Sequence, residues 1–229
     1  MRFSFVAFLL FALGYPTFAA DKAKKADDSW MQQYYQHPQP ERFEAEVKKL
    51  QVSGALQNED AIPPAAAFYS RLFKSAPPAQ LAEWLKFIGG LPERDQQAFL
   101  VALRWAGTRE TQDALRTIAA RKDKVAAYAR KLLDAKAPVL DKISNPTPEE
   151  LDTCWGAFFA TGDSVYALTV IRCATKPTKE KDLEISQGAA RWSLKSLCNT
   201  HKKLRDIKDS FYKAASPQER KALDELFKK

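Results

Sequence analysis

The chain has 229 residues, 45% of them apolar, and a formal net charge of +8, so it is long enough to bury one full-sized hydrophobic core. Beyond residue 20 no stretch approaches the roughly 18 apolar residues of a transmembrane helix, which excludes a protein with several membrane spans. The positive charge is typical of proteins that meet anionic lipids, acidic polymers or acidic proteins, although it can also serve solubility alone.

Residues 1–19 have the pattern of a secretory signal peptide. One arginine precedes an apolar run from Phe3 to Leu13, and a small residue closes the segment at Ala19, where we expect cleavage. Cleavage after Ala20 and an uncleaved membrane anchor are the alternatives. The sequence therefore predicts a periplasmic or secreted protein, in which the charged residues 20–29 form a flexible leader.

The rest of the chain is predicted to be all-α, an irregular stack of antiparallel helical hairpins with about ten helices and no sheet. Prolines lie between the apolar segments, and those segments repeat with the helical period of 3.6 residues. Residues 137–147 contain two prolines and no helical stripe. They are predicted to connect an N-terminal helical lobe, residues 30–136, to a C-terminal helical lobe, residues 148–229.

Several helix ends can be located from the sequence. The segments 147–150 and 216–219 each combine a hydroxyl residue, a proline and a glutamate in the spacing of a capping box. Gly107-Thr108 and Gly162-Asp163 each combine a helix-ending glycine with an N-cap residue, which predicts two tight helical corners. The longest apolar stripe runs from Leu194 to Phe211 and predicts a long helix.

The stretch LDTCWGAFFATGD, residues 151–163, has no polar face in its middle. A helix that is apolar all round is buried all round, so we expect the row from Trp155 to Phe159 to lie in the core. A binding pocket lined by these aromatic residues is the alternative. Gly156 and Gly188 interrupt helical segments, and we predict that both mark close helix crossings.

Three segments together carry a family resemblance: WGAFFATGD at 155–163, GAARWSL at 188–194 and YYQHPQPERF at 34–43. In these segments the chain resembles an uncharacterised group of exported all-helical bacterial proteins, and the similarity covers most of the mature chain. The resemblance implies export and a helical fold. That group has no assigned activity, so the resemblance implies no catalytic residues.

The chain has three cysteines, Cys154, Cys173 and Cys198, which export would place in an oxidising compartment. A helix rise of 1.5 Å per residue puts Cys154 and Cys173 about one turn apart in height on neighbouring helices. We therefore predict a Cys154–Cys173 disulfide, with Cys198 reduced and buried. Three free buried thiols are the alternative.

A zinc site is the other chemistry that these cysteines suggest. Cys198 and His201 are three residues apart and would share a helix face, and Cys154 and Cys173 would complete a Cys₃His set. The paired Cys-x-x-Cys spacing is missing, and oxidation disfavours free thiolates, so the sequence predicts no metal site and no cofactor. His201 is expected at the core edge with a hydrogen-bond partner, whereas His37 lies in a predicted loop.

Enzyme motifs are missing from the sequence. It has no G-x-S-x-G elbow, no H-E-x-x-H and no glycine-rich phosphate loop. Glu149, Glu150 and Asp152 are clustered carboxylates, but a capped, acidic first helical turn accounts for them. The sequence favours a non-catalytic protein and leaves enzyme activity open.

Basic residues cluster in two segments and are the best candidates for binding. Amphipathic basic helices bind anionic surfaces, although they are also common as solvated outer faces, here with Asp206 and Asp209 as ion-pair partners. The predicted binding residues are Arg109, Arg116, Arg121, Lys124 and Lys131 in the first segment, which also holds Lys122 and Arg130, and Lys202, Lys203, Arg205 and Lys208 in the second.

These observations predict a non-catalytic, exported interaction protein of the bacterial cell envelope that binds a protein or an anionic surface through its basic helical faces. The alternatives are a hydrolase that acts on envelope polymers with paired carboxylates and an effector secreted beyond the cell. No nucleic-acid partner is expected, because the aromatic residues are not interleaved with the basic ones. No integral membrane segment is expected after signal cleavage.

Overall fold

The computed structural model describes residues 30–177 and 181–228. The predicted signal peptide, its cleavage point and the flexible leader lie outside these residues. The described part contains twelve α-helices and no strand, so the all-α prediction is confirmed. The helices are α1 (Trp30–Gln33), α2 (Phe43–Val52), α3 (Ile62–Ser75), α4 (Pro78–Gly89), α5 (Gln97–Ala106), α6 (Arg109–Ala119), α7 (Lys124–Asp134), α8 (Pro148–Thr161), α9 (Ser164–Thr175), α10 (Lys181–Cys198), α11 (Lys202–Ala214) and α12 (Pro217–Phe227).

The predicted helix ends form as local chemistry requires. The Thr147 and Ser216 capping boxes both close, with each hydroxyl accepting from the backbone N–H three residues on. Gly107 and Gly162 end α5 and α8 in the left-handed conformation, with φ of 68° and 65°. Short-range hydrogen bonding therefore fixes both hairpin corners.

The aromatic row of α8 lies in the core, as predicted. Trp155, Phe158 and Phe159 are 2%, 0% and 2% exposed, and their rings pack on one another with centroids about 6 Å apart. α8 makes its most extensive contact with α3, which also packs against α5. The buried-corner interpretation is confirmed, and the pocket alternative is wrong.

Gly156 marks a close helix crossing, as predicted. A Cβ atom built on it would lie 2.1 Å from the carbonyl oxygen of Pro64 in the first turn of α3. The same prediction was wrong for Gly188, because its built Cβ meets no atom within 4 Å. Gly188 lies on the exposed side of α10, where no other helix of the described residues crosses it.

One cluster of buried apolar side chains runs through both predicted lobes. The connecting segment contributes Leu140, which is 4% exposed, whereas Val139 in the same segment is exposed to solvent. The division into two lobes stays a prediction, but the contact between α3 and α8 crosses the proposed boundary.

The long stripe from Leu194 to Phe211 belongs to two helices, so the prediction of one long helix was wrong. α10 ends at Cys198 and α11 begins at Lys202. His201 between them has extended backbone angles (φ −108°, ψ 103°). Nη1 of Arg205 donates to the Cys198 carbonyl oxygen at 2.7 Å, which caps the end of α10.

None of the helices within residues 30–177 and 181–228 is both long enough and apolar enough to cross a membrane.

Candidate functional site

The turn between α6 and α7 is held rigidly by two side chains. The Asp123 carboxylate accepts a hydrogen bond from the backbone N–H of Ala126 at 2.7 Å and thereby caps α7. Arg130 Nη1 donates to the carbonyl oxygens of Ala119 at 2.6 Å and Arg121 at 3.3 Å, which satisfies the end of α6. Arg130 therefore stabilises the turn from within.

The remaining cations around this turn project into solvent. All four are exposed, and within the described residues none of their side chains forms an ion pair or a hydrogen bond. We call them the basic tip: Arg121, Lys122, Lys124 and Lys131. Lys124 and Lys131 lie seven residues apart, so they share one face of α7.

The other predicted binding residues of this hairpin are partly neutralised. Arg116 Nη1 lies 2.7 Å from one carboxylate oxygen of Asp113, and Arg109 Nε lies 3.8 Å from the other. One acidic residue therefore serves two cations, and both exposed pairs are weak.

The basic side chains of α11 contact other residues of the chain. Lys202 pairs with Asp206 at 2.8 Å and Lys208 with Asp209 at 3.0 Å, as the sequence suggested. Arg205 caps α10, as described above. Lys203 Nζ lies 5.7 Å from the centre of the Tyr35 ring. No substantial contact joins α11 to α6 or α7 in the described chain, so the two basic faces are separate surfaces.

His201 lies at the centre of a long-range contact. It is 0% exposed, stacks on Phe159 with ring centres 5.3 Å apart, and holds Nδ1 3.0 Å from the Tyr35 hydroxyl oxygen. Burial, assisted by the Arg205 charge, lowers the His201 pKa to about 4. The expected hydrogen-bond partner is present, and the neutral imidazole helps to hold the start of the described chain against α8.

The three cysteines are free thiols, so the structure does not contain the predicted Cys154–Cys173 disulfide. Burial raises the Cys154 pKa to about 12, with smaller contributions from the charges of Glu150 and Cys173. Burial also raises the Cys198 pKa to about 11. Cys154 and Cys173 lie on α8 and α9, which pack against each other as neighbouring helices, but their sulfur atoms are not bonded.

We expect one thiol to react quickly with Ellman's reagent at neutral pH in the folded protein. Cys173 is half-buried and is expected to be the reactive thiol. Cys154 and Cys198 are buried, and their raised pKa values leave a smaller fraction of each as the reactive thiolate at neutral pH. Cys154 and Cys198 should therefore react at least about 100-fold more slowly than Cys173. Three thiols should react after denaturation without reductant. A single reactive thiol in the denatured, unreduced protein would instead demonstrate a disulfide.

A polar cluster, centred on the exposed Asp141, was missed by the sequence analysis. Arg71 Nη2 on α3 and the Tyr166 hydroxyl on α9 both donate to Oδ1 of Asp141, at 2.7 and 2.5 Å. Arg71 and Tyr166 are buried, and the guanidinium lies over the Tyr166 ring. These residues join α3, the connecting segment and α9, and no short motif could reveal partners 25 and 70 residues apart.

The described residues contain no group of three or more His, Cys, Asp or Glu side chains that could hold a metal ion. His201 is not on the helix face of Cys198, because α10 ends before it. For the hydrolase alternative, a groove of about 630 Å³ between α2 and α4 includes Glu44 and Glu83. Both carboxylates are exposed, so the groove lacks the buried acid of many glycoside hydrolases.

Comparison with known proteins gives no relative: no family model, curated protein or solved structure matches the chain. Its function must therefore be argued from the geometry of its own residues.

Proposed function

We propose that this is a non-catalytic, exported interaction protein of the bacterial cell envelope, which binds an anionic surface through the basic tip. The supporting observation is that its four exposed cations have no partner within the described chain, at a turn that Asp123 and Arg130 hold in place. The proposal of export rests on the pattern of residues 1–19.

The physical basis is electrostatic. A lysine or arginine near an anionic membrane surface contributes about 1 kcal/mol, so four cations supply a few kcal/mol in favourable geometry. The only acidic residue within the turn, Asp123, already accepts the capping hydrogen bond of α7. Because the turn is already ordered by its caps, binding loses little conformational entropy.

Charge removal at the basic tip tests this function. We expect the variant Arg121→Gln, Lys122→Gln, Lys124→Gln, Lys131→Gln to bind phosphatidylglycerol-containing vesicles at least about 10-fold more weakly than wild type. Wild-type binding should also fall steeply between about 50 and 500 mM salt. Cosedimentation with vesicles made with and without phosphatidylglycerol measures both effects.

A matched control removes the same charge elsewhere. The four residues Lys202, Lys213, Lys221 and Lys228 are exposed on α11, α12 and just beyond. Their replacement by Gln should change vesicle affinity by less than about twofold, because they lie outside the basic tip. Equal losses in both variants would contradict the proposal and indicate that net charge alone drives binding.

A further inference from the structure

α10 carries an exposed apolar face that the fold does not use. Ile185 is 65% exposed and Trp192 is 49% exposed. Seven residues separate them, so they lie on the same face, about 10.5 Å apart along the helix. The opposite face of α10 packs against the core and buries Ala190, Leu194 and Leu197. The fold therefore leaves two large apolar side chains of one helix in solvent.

Gly188 lies between these two side chains and exposes the helix backbone. A Cβ atom built there meets no atom within 4 Å, so packing among the described residues does not require the glycine. A glycine in a helix interior costs about 1 kcal/mol relative to alanine. On an exposed face, a missing side chain creates a notch through which a second helix can approach closely.

The charges beside the apolar face are self-complementary. Glu184 and Lys195 are exposed near opposite ends of the face. If a second α10 lies antiparallel to the first, Ile185 of each copy faces Trp192 of the other and Gly188 faces Ala189. In the same register, Glu184 of one copy and Lys195 of the other differ in height along the helix axis by only about 3 Å, so the two side chains can pair.

We propose that this face docks a second copy of the same chain, as an antiparallel α10–α10 pair with its twofold axis near Gly188. Both copies use the same patch, which is the arrangement of a twofold-symmetric dimer. A second copy fits better than an anionic surface because Glu184 would be repelled there, whereas in the dimer it faces a lysine. The inference does not rest on the proposed function.

The dimer is expected to be weak. One helix pair buries less than the roughly 1,600 Å² of a standard interface, and the two chains, each with a net charge of +8, repel one another. We expect a dissociation constant on the order of 10–100 µM. Sedimentation equilibrium of the purified protein, from about 1 to 300 µM, should show a concentration-dependent change from monomer to twice its mass.

The variant Gly188→Gln tests the close approach without threatening the fold, because the added side chain has open space within its own chain. It should weaken dimerisation at least about 10-fold, and Trp192→Ala should do the same. Val52→Gln, which alters an 89% exposed apolar side chain on α2, is the control and should leave the dissociation constant unchanged.

Charge reversal tests the register. Glu184→Lys and Lys195→Glu should each weaken dimerisation, and the double variant, which restores the net charge, should recover most of the affinity. A chain that stays monomeric at about 300 µM would overturn the proposal, as would a dimer that Gly188→Gln does not weaken. A monomer whose Trp192 fluorescence changes only with anionic vesicles would assign the face to a lipid surface.

Discussion

Replacing Gly156 by alanine is expected to lower the free energy of unfolding by about 2–4 kcal/mol. The new Cβ would lie 2.1 Å from the Pro64 carbonyl oxygen, a distance that side-chain rotation cannot relieve because the obstacle is backbone. α3 and α8 would have to separate at their most extensive contact. The better helix propensity of alanine offsets only about 1 kcal/mol of this cost.

Gly188 supplies the matched control for that experiment. Gly188→Ala adds the same methyl group to a helix interior, but into open space, so it should stabilise the protein by about 0.5–1 kcal/mol. Urea unfolding followed by far-UV circular dichroism measures both variants at low protein concentration. If Gly156→Ala were as stable as Gly188→Ala, the close crossing of α3 and α8 would be refuted.

Acidification is expected to destabilise the protein through His201. The unfolded chain binds a proton near pH 6.5, whereas the buried imidazole binds one only near pH 4. Between these values the unfolded state holds more protons, so the free energy of unfolding falls as the pH falls. A difference of this size corresponds to a loss of about 3 kcal/mol, complete near pH 4.

A phenylalanine at position 201 should remove most of this pH dependence. His201→Phe keeps the stack on Phe159 but cannot be protonated, and the lost Tyr35 contact should cost about 1 kcal/mol at neutral pH. Denaturant unfolding from about pH 7 to about pH 4 measures the slope. His37→Phe is the control and should retain the wild-type slope, and a wild-type slope in His201→Phe would rule out His201 as the cause.

A second acid-sensitive group belongs to a lower pH range. Hydrogen bonds from Ser216 lower the Glu219 pKa from its usual 4.5, so its contribution is present above that value and is lost only as the pH falls further. The His201 effect should therefore be separable from the carboxylate effect by its position on the pH axis.

Features that depend on neighbouring residues could be predicted from the sequence. The capping boxes at Thr147 and Ser216 and the corner at Gly162 are each determined within a few residues. The burial of Trp155 also follows from a helix with no polar face. Such signals locate helices and the core, but they do not say which helices meet.

Features that depend on distant partners could not be predicted. Gly156 and Gly188 look alike in sequence, and only the position of α3 distinguishes a crossing from an open surface. The basic residues of α11 resembled a binding face until the structure placed Tyr35 and the end of α10 beneath them. The sequence showed the basic tip as a cluster of positive charges, but it could not show that these side chains have no partners among the described residues.

The contact between Tyr35 and His201 also bears on how the chain reaches its native state. The backbone N–H of Tyr35 donates to the Phe159 carbonyl oxygen at 3.0 Å, and its hydroxyl meets a histidine 166 residues further along. At about 5–20 residues per second, synthesis leaves the early segment waiting roughly 10–30 s for that partner. The segment that carries Tyr35 is therefore among the last to complete its contacts, and until then the Tyr35 ring is available to chaperones.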